Sequence, residues 1–120
     1  MKGNPMPPNL LHLPILAGQT LETKEFLAEL SGPRAQAYAE SQRQLEVGKE
    51  AWFITRSGDD DILVAYLESA DFTVALQRMS ASSQPFDRWF KDCLRSCTGL
   101  DLDNPPELSL PELAAYYTES

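Results

Sequence analysis

Residue types that carry chemistry are scarce in this sequence. It has one histidine and two cysteines among 120 residues, and no glycine-rich phosphate loop, GxSxG elbow, CxxC pair or HExxH motif occurs. A structural zinc site takes four ligands, usually from cysteine and histidine, so these residues are too few to supply one. We therefore expect neither a metal nor a bound cofactor.

Basic residues and long apolar runs are also few. The 10 lysines and arginines are scattered and are outnumbered by 18 aspartates and glutamates, which gives a net charge of −8. Nucleic acids and anionic membrane surfaces both attract clustered basic residues. No stretch approaches the ~20 apolar residues of a membrane span, and the N-terminus lacks the apolar region of a signal peptide. The sequence thus predicts a cytoplasmic, soluble protein that binds neither nucleic acid nor membrane.

The length favours a single domain, because 120 residues suffice for one hydrophobic core but not for two. Three prolines fall within residues 1–8, which predicts a flexible N-terminal arm there. Residues 9–118 are then expected to form one α+β domain. Within it, residues 100–112 read as an extended connector to the last strand.

A β-hairpin with two apolar faces is the most informative feature. Its strands are predicted over 49–57 and 62–69, with a turn over 58–61. Successive strand side chains point to opposite faces, and a half-solvated sheet alternates apolar with polar residues. Here Phe53 and Ile54 are neighbours that point in opposite directions, and both are apolar. We expect helices to cover one face and a second copy of the chain to cover the other, which predicts a homodimer.

The register of this hairpin depends on its turn. A three-residue turn is expected to pair Trp52 with Tyr66, and a two- or four-residue turn is expected to pair Phe53 with Tyr66. The sequence leaves both possibilities open.

The remaining elements follow from apolar periodicity and from residues that start or stop helices. Residues 9–16 are predicted as the first strand. A crossover helix is expected to begin at the N-cap Thr20, to break at Gly32-Pro33 and to stop at Gly48. Asp71 is expected to cap the next helix. Residues 113–118 are predicted as a fourth strand, with a helical turn as the alternative because alanine favours helix.

A last helix, from Pro85 to Gly99, has the clearest period in the chain. Its apolar residues recur at steps of three and four, which places the two cysteines as buried thiols on the core stripe. The stripe consists of Phe86, Trp89, Phe90, Cys93, Leu94 and Cys97. The polar residues Asp87, Arg88, Lys91, Asp92 and Arg95 are expected to face solvent.

The order strand, helix, strand, strand, helix, strand predicts a ferredoxin-like split βαβ fold with an antiparallel sheet. Two such sheets that pair face to face would form a dimeric α+β barrel.

Two resemblances accompany this pattern. The segments LLHLPIL and ILVAYLES-ADFTVALQRM resemble the dimeric α+β barrel superfamily, in particular its stress-responsive (Dabb-like) members. The segments GPRAQAYAESQRQLEVGKEAWF and PFDRWF resemble, more closely, a bacterial domain family of unknown function. The first resemblance implies a ligand-binding barrel, and for an enzyme a cofactor-independent monooxygenase- or cyclase-like activity. Catalytic members often carry further histidines in the segment that corresponds to residues 82–86, and this chain has none there. The sequence therefore departs from the pattern of a histidine-based mechanism.

His12 and Tyr66 are the candidate catalytic residues. If Leu11 and Leu13 face the helices, His12 points into the barrel, where an imidazole with a pKa near neutrality suits a general base. The alternative is a structural histidine that is hydrogen-bonded to buried groups. The Tyr66 hydroxyl would orient a ligand.

Trp52, Ile54 and Val64 are expected to line the barrel around a planar apolar ligand. The alternative is that they are packing residues at the dimer interface. Arg56 is a candidate anchor for a ligand carboxylate, and a surface ion pair with Glu68 is the alternative. Two functions therefore stay open, a small-molecule-binding barrel and a non-catalytic structural or regulatory dimer with a packed interior.

Overall fold

A computed structural model describes residues 6–119 of the chain, and it has a mixed α+β architecture with one three-stranded antiparallel sheet and four helices. The strand order in the sheet is β1-β3-β2. The elements in chain order are β1 (Pro8–Pro14), α1 (Thr20–Leu30), α2 (Ala35–Gln44), β2 (Val47–Ser57), β3 (Asp60–Ser69), α3 (Phe72–Ala81) and α4 (Pro85–Thr98).

The hairpin register differs from both predicted alternatives. Ser57 pairs with Asp60, so Gly58 and Asp59 alone form the turn, and Gly58 has the positive φ of 62° that such a turn favours. Tyr66 consequently lies opposite Ala51 rather than opposite Trp52 or Phe53. A two-residue turn was one of the predicted lengths, but it was placed one residue too late. Strand β2 ends at Ser57 as predicted, whereas β3 begins at Asp60 and not at residue 62.

The register divides the sheet into two faces. The helix face packs under the four helices, and Leu13 and Leu63 on it are 8% and 0% exposed. The open face has no helix over it, and Phe53 on its edge strand β2 is 57% exposed. At one end of this face, residues 111–116 border a groove with Leu10 and Tyr66. The helix face carries Leu11, Leu13, Glu50, Trp52, Ile54, Leu63, Ala65 and Leu67, and the open face carries Leu10, His12, Ala51, Phe53, Ile62, Val64, Tyr66 and Glu68.

The crossover between β1 and β2 is broken as predicted. Residues 31–34 form turns between α1 and α2. The predicted ends were less accurate. Gln19 is the N-cap of α1, while Thr20 donates its hydroxyl to Asp61 Oδ2 at 2.6 Å. After α2 the chain turns at Glu46, whose φ is +57°, and Gly48 already lies in β2.

Helix α3 begins where it was predicted, and α4 both begins and ends at the predicted residues. The Asp71 carboxylate caps α3 by accepting from the backbone N–H of Val74 at 3.1 Å. Pro85 is the first residue of α4, and Gly99 ends that helix with a φ of +82°. The predicted apolar stripe of α4 faces the core, where Phe90 and Leu94 are 6% and 2% exposed.

The polar side of α4 is the main departure from the helical pattern. Asp87 and Lys91 are 3% and 2% exposed, so the prediction that they face solvent was wrong. The Asp87 carboxylate accepts from the hydroxyls of Ser41 and Ser82, each at 2.5 Å. The Lys91 ammonium donates to the Ser82 carbonyl at 3.0 Å and to Asp103 Oδ1 at 2.7 Å. These contacts join α4 to α2, to the end of α3 and to the connector.

The C-terminal segment forms neither of the predicted structures. Leu100 and Leu102 are buried, but residues 104–119 contain no helix and no strand. The predicted strand would need the free edge of β1. That strand begins and ends with proline, which has no N–H to donate to a ladder. The predicted N-terminal arm lies mostly outside the described residues, and Pro8 already belongs to β1.

Candidate functional site

The structure separates the predicted site residues onto the two faces of the sheet. His12 and Val64 are opposite each other in the β1–β3 pairing, and Tyr66 follows on the same open face. Trp52 and Ile54 lie on the helix face, where they pack against the core. The prediction that these five residues surround one ligand is therefore wrong, because the sheet lies between the two groups.

Arg56 is distant from the other predicted residues. It lies beside the hairpin turn, opposite Asp61, and it is exposed. Glu68, its predicted ion-pair partner, is at the other end of the hairpin, where its Oε2 atom lies 4.0 Å from the Lys49 ammonium. The expected ion pair between Arg56 and Glu68 was wrong because the two residues lie at opposite ends of an antiparallel hairpin.

His12 is exposed in the middle of β1. The hydrogen bonds within residues 6–119 include none from its imidazole, so the alternative of a histidine bound to buried groups receives no support there. The ring is free to meet whatever covers the open face.

Tyr66 and Glu68 form a polar pair at one end of the open face. The Tyr66 hydroxyl donates to Glu68 Oε2 at 2.5 Å. This hydrogen bond, together with partial desolvation and the nearby carboxylate charge, raises the pKa of Tyr66 to about 12. The phenol is therefore a hydrogen-bond donor at neutral pH and not a base.

A second polar cluster, which we did not predict, lies on the helix face. Glu50 points between β2 and α2, and its carboxylate accepts from the Tyr38 hydroxyl. The indole N–H of Trp52 donates to the same oxygen, Oε1, at 3.1 Å. The sequence signal for this cluster is that Glu50 alternates with Trp52 and Ile54, which places a carboxylate on an otherwise apolar strand face.

Burial controls the protonation of this cluster. Desolvation raises the pKa of the Glu50 carboxyl, although hydrogen bonds from Tyr38, Gln42 and Trp52 oppose that shift. Desolvation and the adjacent Glu50 charge raise the pKa of Tyr38, which keeps its phenol protonated. Tyr38 therefore acts as a fixed donor toward Glu50.

The cluster forms one wall of a small cavity between the helices and the sheet. This Glu50 cavity has a volume of about 70 Å³. Its wall is otherwise mostly apolar and includes the rings of Tyr38, Trp52, Phe72, Phe86 and Phe90. A single carboxylate among aromatic rings can exchange a proton with a bound molecule or hold a small cation.

Comparisons of the chain with known proteins found no relative whose function could be transferred to it. No protein-family model, no curated protein and no solved structure gave a significant match. None of the helices within residues 6–119 is long and apolar enough to cross a membrane, and no group of three or more His, Cys, Asp or Glu side chains there is arranged to hold a metal ion.

Proposed function

We propose that the chain is a homodimeric small-molecule-binding protein whose two open faces meet to enclose the ligand. The observation that carries this proposal is the open face itself. It presents large apolar side chains that no helix of the same chain covers, and Phe53 on it is 57% exposed. Monomeric proteins rarely leave a contiguous apolar face of a sheet in water.

The energetics favour a second copy as the cover. Each apolar side chain of this size that leaves water completely contributes up to roughly 1.5–3 kcal/mol. Association costs about 4–15 kcal/mol in lost freedom of motion. In a two-fold symmetric dimer, each apolar side chain of the open face is buried in both copies, so its contribution counts twice. The few such side chains on this face therefore suffice to offset the cost of association.

The strand order supports a ferredoxin-like fold of the Dabb-like dimeric barrel kind. Such a sheet places the first strand beside the third and the third beside the second, as β1-β3-β2 does here. The outer fourth strand of that plan is absent from residues 6–119. The helices α1 and α2 in place of one crossover helix are compatible with the plan.

In this proposal the ligand contacts His12, Val64 and Tyr66. These residues share the open face, and the Tyr66 hydroxyl is held as a donor by Glu68. An exposed imidazole beside a phenol suits a planar aromatic molecule that carries a hydroxyl or carbonyl group. If the dimer is an enzyme, His12 is its general base, in a cofactor-independent oxygenase- or cyclase-like reaction.

The second candidate is a non-catalytic regulatory or structural dimer with a solid interior. The size and exposure of Phe53 favour it, because a large ring from each copy between the paired sheets leaves less room for a ligand. The two candidates share the dimer and differ in whether a cavity remains between the sheets.

Phe53→Lys tests the dimer. We expect this substitution to convert a dimer into a folded monomer of 13.4 kDa, because a charge on the open face opposes burial but is tolerated in water. Light scattering gives the mass, and circular dichroism reports the fold. Ile54→Lys is the matched control, since it places the same charge on the adjacent residue but toward the core, and we expect it to unfold the protein.

A wild-type protein that is monomeric at micromolar concentration contradicts the dimer. So does a Phe53→Lys variant that remains dimeric, because the interface would then lie elsewhere.

His12→Ala separates the two candidate functions. We expect wild-type protein to bind 1-naphthol, a planar aromatic alcohol, and the variant to lose that binding while its free energy of unfolding changes by less than about 0.5 kcal/mol, as for an exposed side chain without partners. Fluorescence titration and chemical denaturation measure the two quantities. A wild-type dimer that binds no such probe supports the packed module and contradicts the ligand-binding function.

A further inference from the structure

We propose that the Glu50 cavity is a binding site for a small primary ammonium group. It lies on the helix face, so this proposal does not depend on what the open face binds. The site consists of the Glu50 carboxylate, which provides the charge, and a mostly apolar wall that includes five aromatic rings.

The carboxylate has an acceptor position to offer. The hydroxyl of Tyr38 and the indole N–H of Trp52 both donate to Oε1. A carboxylate has about four lone-pair sites on its two oxygens. With Gln42 as a third donor to the carboxylate, one of these sites remains to accept from a ligand N–H while the protein donors hold the group in place.

The carboxylate also has no cation beside it. The ion pairs within residues 6–119 do not include Glu50, and no lysine or arginine contributes to its pKa. The carboxylate is partly buried, and a charge withdrawn from water without a counter-ion is costly, so a cationic ligand gains more there than a neutral one of the same size. Ammonium ions are further stabilised over aromatic ring faces.

The volume limits the ligand to a few atoms. At about 70 Å³ the cavity is roughly half of one that accepts benzene, at ~150 Å³. It therefore suits an ammonium group with one or two carbons. The best tiny ligands gain at most roughly 1.5 kcal/mol per heavy atom, so three heavy atoms bind with a Kd no tighter than on the order of 1 mM.

Binding should depend on the protonation of Glu50. Glu50 and Tyr38 are the titratable side chains that line the cavity, while β1, β3, α3 and α4 contribute apolar ones and α2 adds Ser41 and Gln42. Burial raises the Glu50 pKa, and Tyr38 stays protonated. Ammonium affinity therefore falls as the pH decreases through the raised pKa of Glu50.

The test is a titration of the full chain with ethylammonium chloride at constant ionic strength, with ethanol as the uncharged control of equal heavy-atom count. The indole ¹H–¹⁵N signal of Trp52, distinguished from that of Trp89 by Trp89→Phe, reports occupancy. We expect a saturable shift with ethylammonium at pH 8, little or none with ethanol, and a weaker effect at low pH.

Glu50→Gln keeps an oxygen acceptor for Tyr38 and Trp52 but removes the charge. We expect it to weaken ethylammonium binding roughly ten- to a hundredfold, as for loss of a charge-assisted hydrogen bond. Equal binding of ethanol, an unchanged Kd in the variant, or no shift in the wild type overturns the proposal. If the variant does not fold, two measurements on the wild-type protein still test the proposal. They are the comparison of ethylammonium with ethanol and the pH series. Phe53→Lys should leave this binding unchanged, so failure of the dimer and failure of the cavity site are distinguishable.

Discussion

Phe90→Ala is expected to lower the free energy of unfolding by about 3–5 kcal/mol, the usual range for removing a buried aromatic side chain. Phe90 is 6% exposed and lies within the ring cluster of the core. Its ring centroid is 5.5 Å from that of Phe26 and 6.0 Å from that of Trp52. Truncation leaves a void that α1, β2 and α4 all border. Urea denaturation of both proteins measures the difference.

Trp89→Ala is the matched control on the same helix. From the sequence alone, Trp89 lies on the same core stripe as Phe90, so its truncation would be expected to lower the free energy of unfolding by the same amount. In the structure its ring is only partly buried, and the Arg34 guanidinium lies 3.9 Å above the ring centroid. We expect a smaller loss of about 1–3 kcal/mol, since less apolar area leaves water. A loss below about 1 kcal/mol for Phe90→Ala would show that the stripe of α4 is not core.

Local chemistry made much of the fold predictable. Proline at the first position of α4, aspartate before α3 and glycine after α4 each satisfy a requirement of a helix end, and the structure places all three where the sequence indicated. The two apolar strand patterns likewise gave the hairpin. These features depend on a few neighbouring residues, which is why one sequence suffices to find them.

Features that depend on distant partners were not predictable in the same way. One residue of register decides which side chains share a face, and the apolar pattern of the hairpin is equally compatible with several turns. Trp52 was therefore grouped with Tyr66, although the sheet separates them. The Glu50 cluster was missed because Tyr38, its donor, comes from a helix whose angle to the sheet is set by tertiary packing.

Asp87 is the strongest example of a partner that periodicity does not show. Helical spacing places it on the polar side of α4, where a carboxylate ordinarily faces water. The serine hydroxyls that hold it come from Ser41 on α2 and from Ser82 just after α3. Three segments thus converge on one carboxylate that is 3% exposed.

Asp87→Ala is therefore expected to lower the free energy of unfolding by about 3–5 kcal/mol at pH 7. Hydrogen bonds to a charged group contribute roughly 1.5–3 kcal/mol each, and the substitution leaves two hydroxyls without their acceptor. Asp87→Asn retains one acceptor oxygen and nearly the same volume, so we expect a loss of about 1–2 kcal/mol. Chemical denaturation of the variants gives these values.

Arg88→Ala provides the comparison that identifies the cause. Arg88 is the next residue on the same helix and is exposed, so its truncation should change the free energy of unfolding by less than about 0.5 kcal/mol. If Asp87→Ala were as mild as Arg88→Ala, the carboxylate would be solvated and the junction of α2, α3 and α4 would not depend on it. A buried acceptor predicts a larger loss of unfolding free energy for Asp87→Ala than for Asp87→Asn, and almost none for Arg88→Ala. This order is specific to a buried acceptor. Loss of helix propensity cannot produce it, because alanine is the better helix former at both positions.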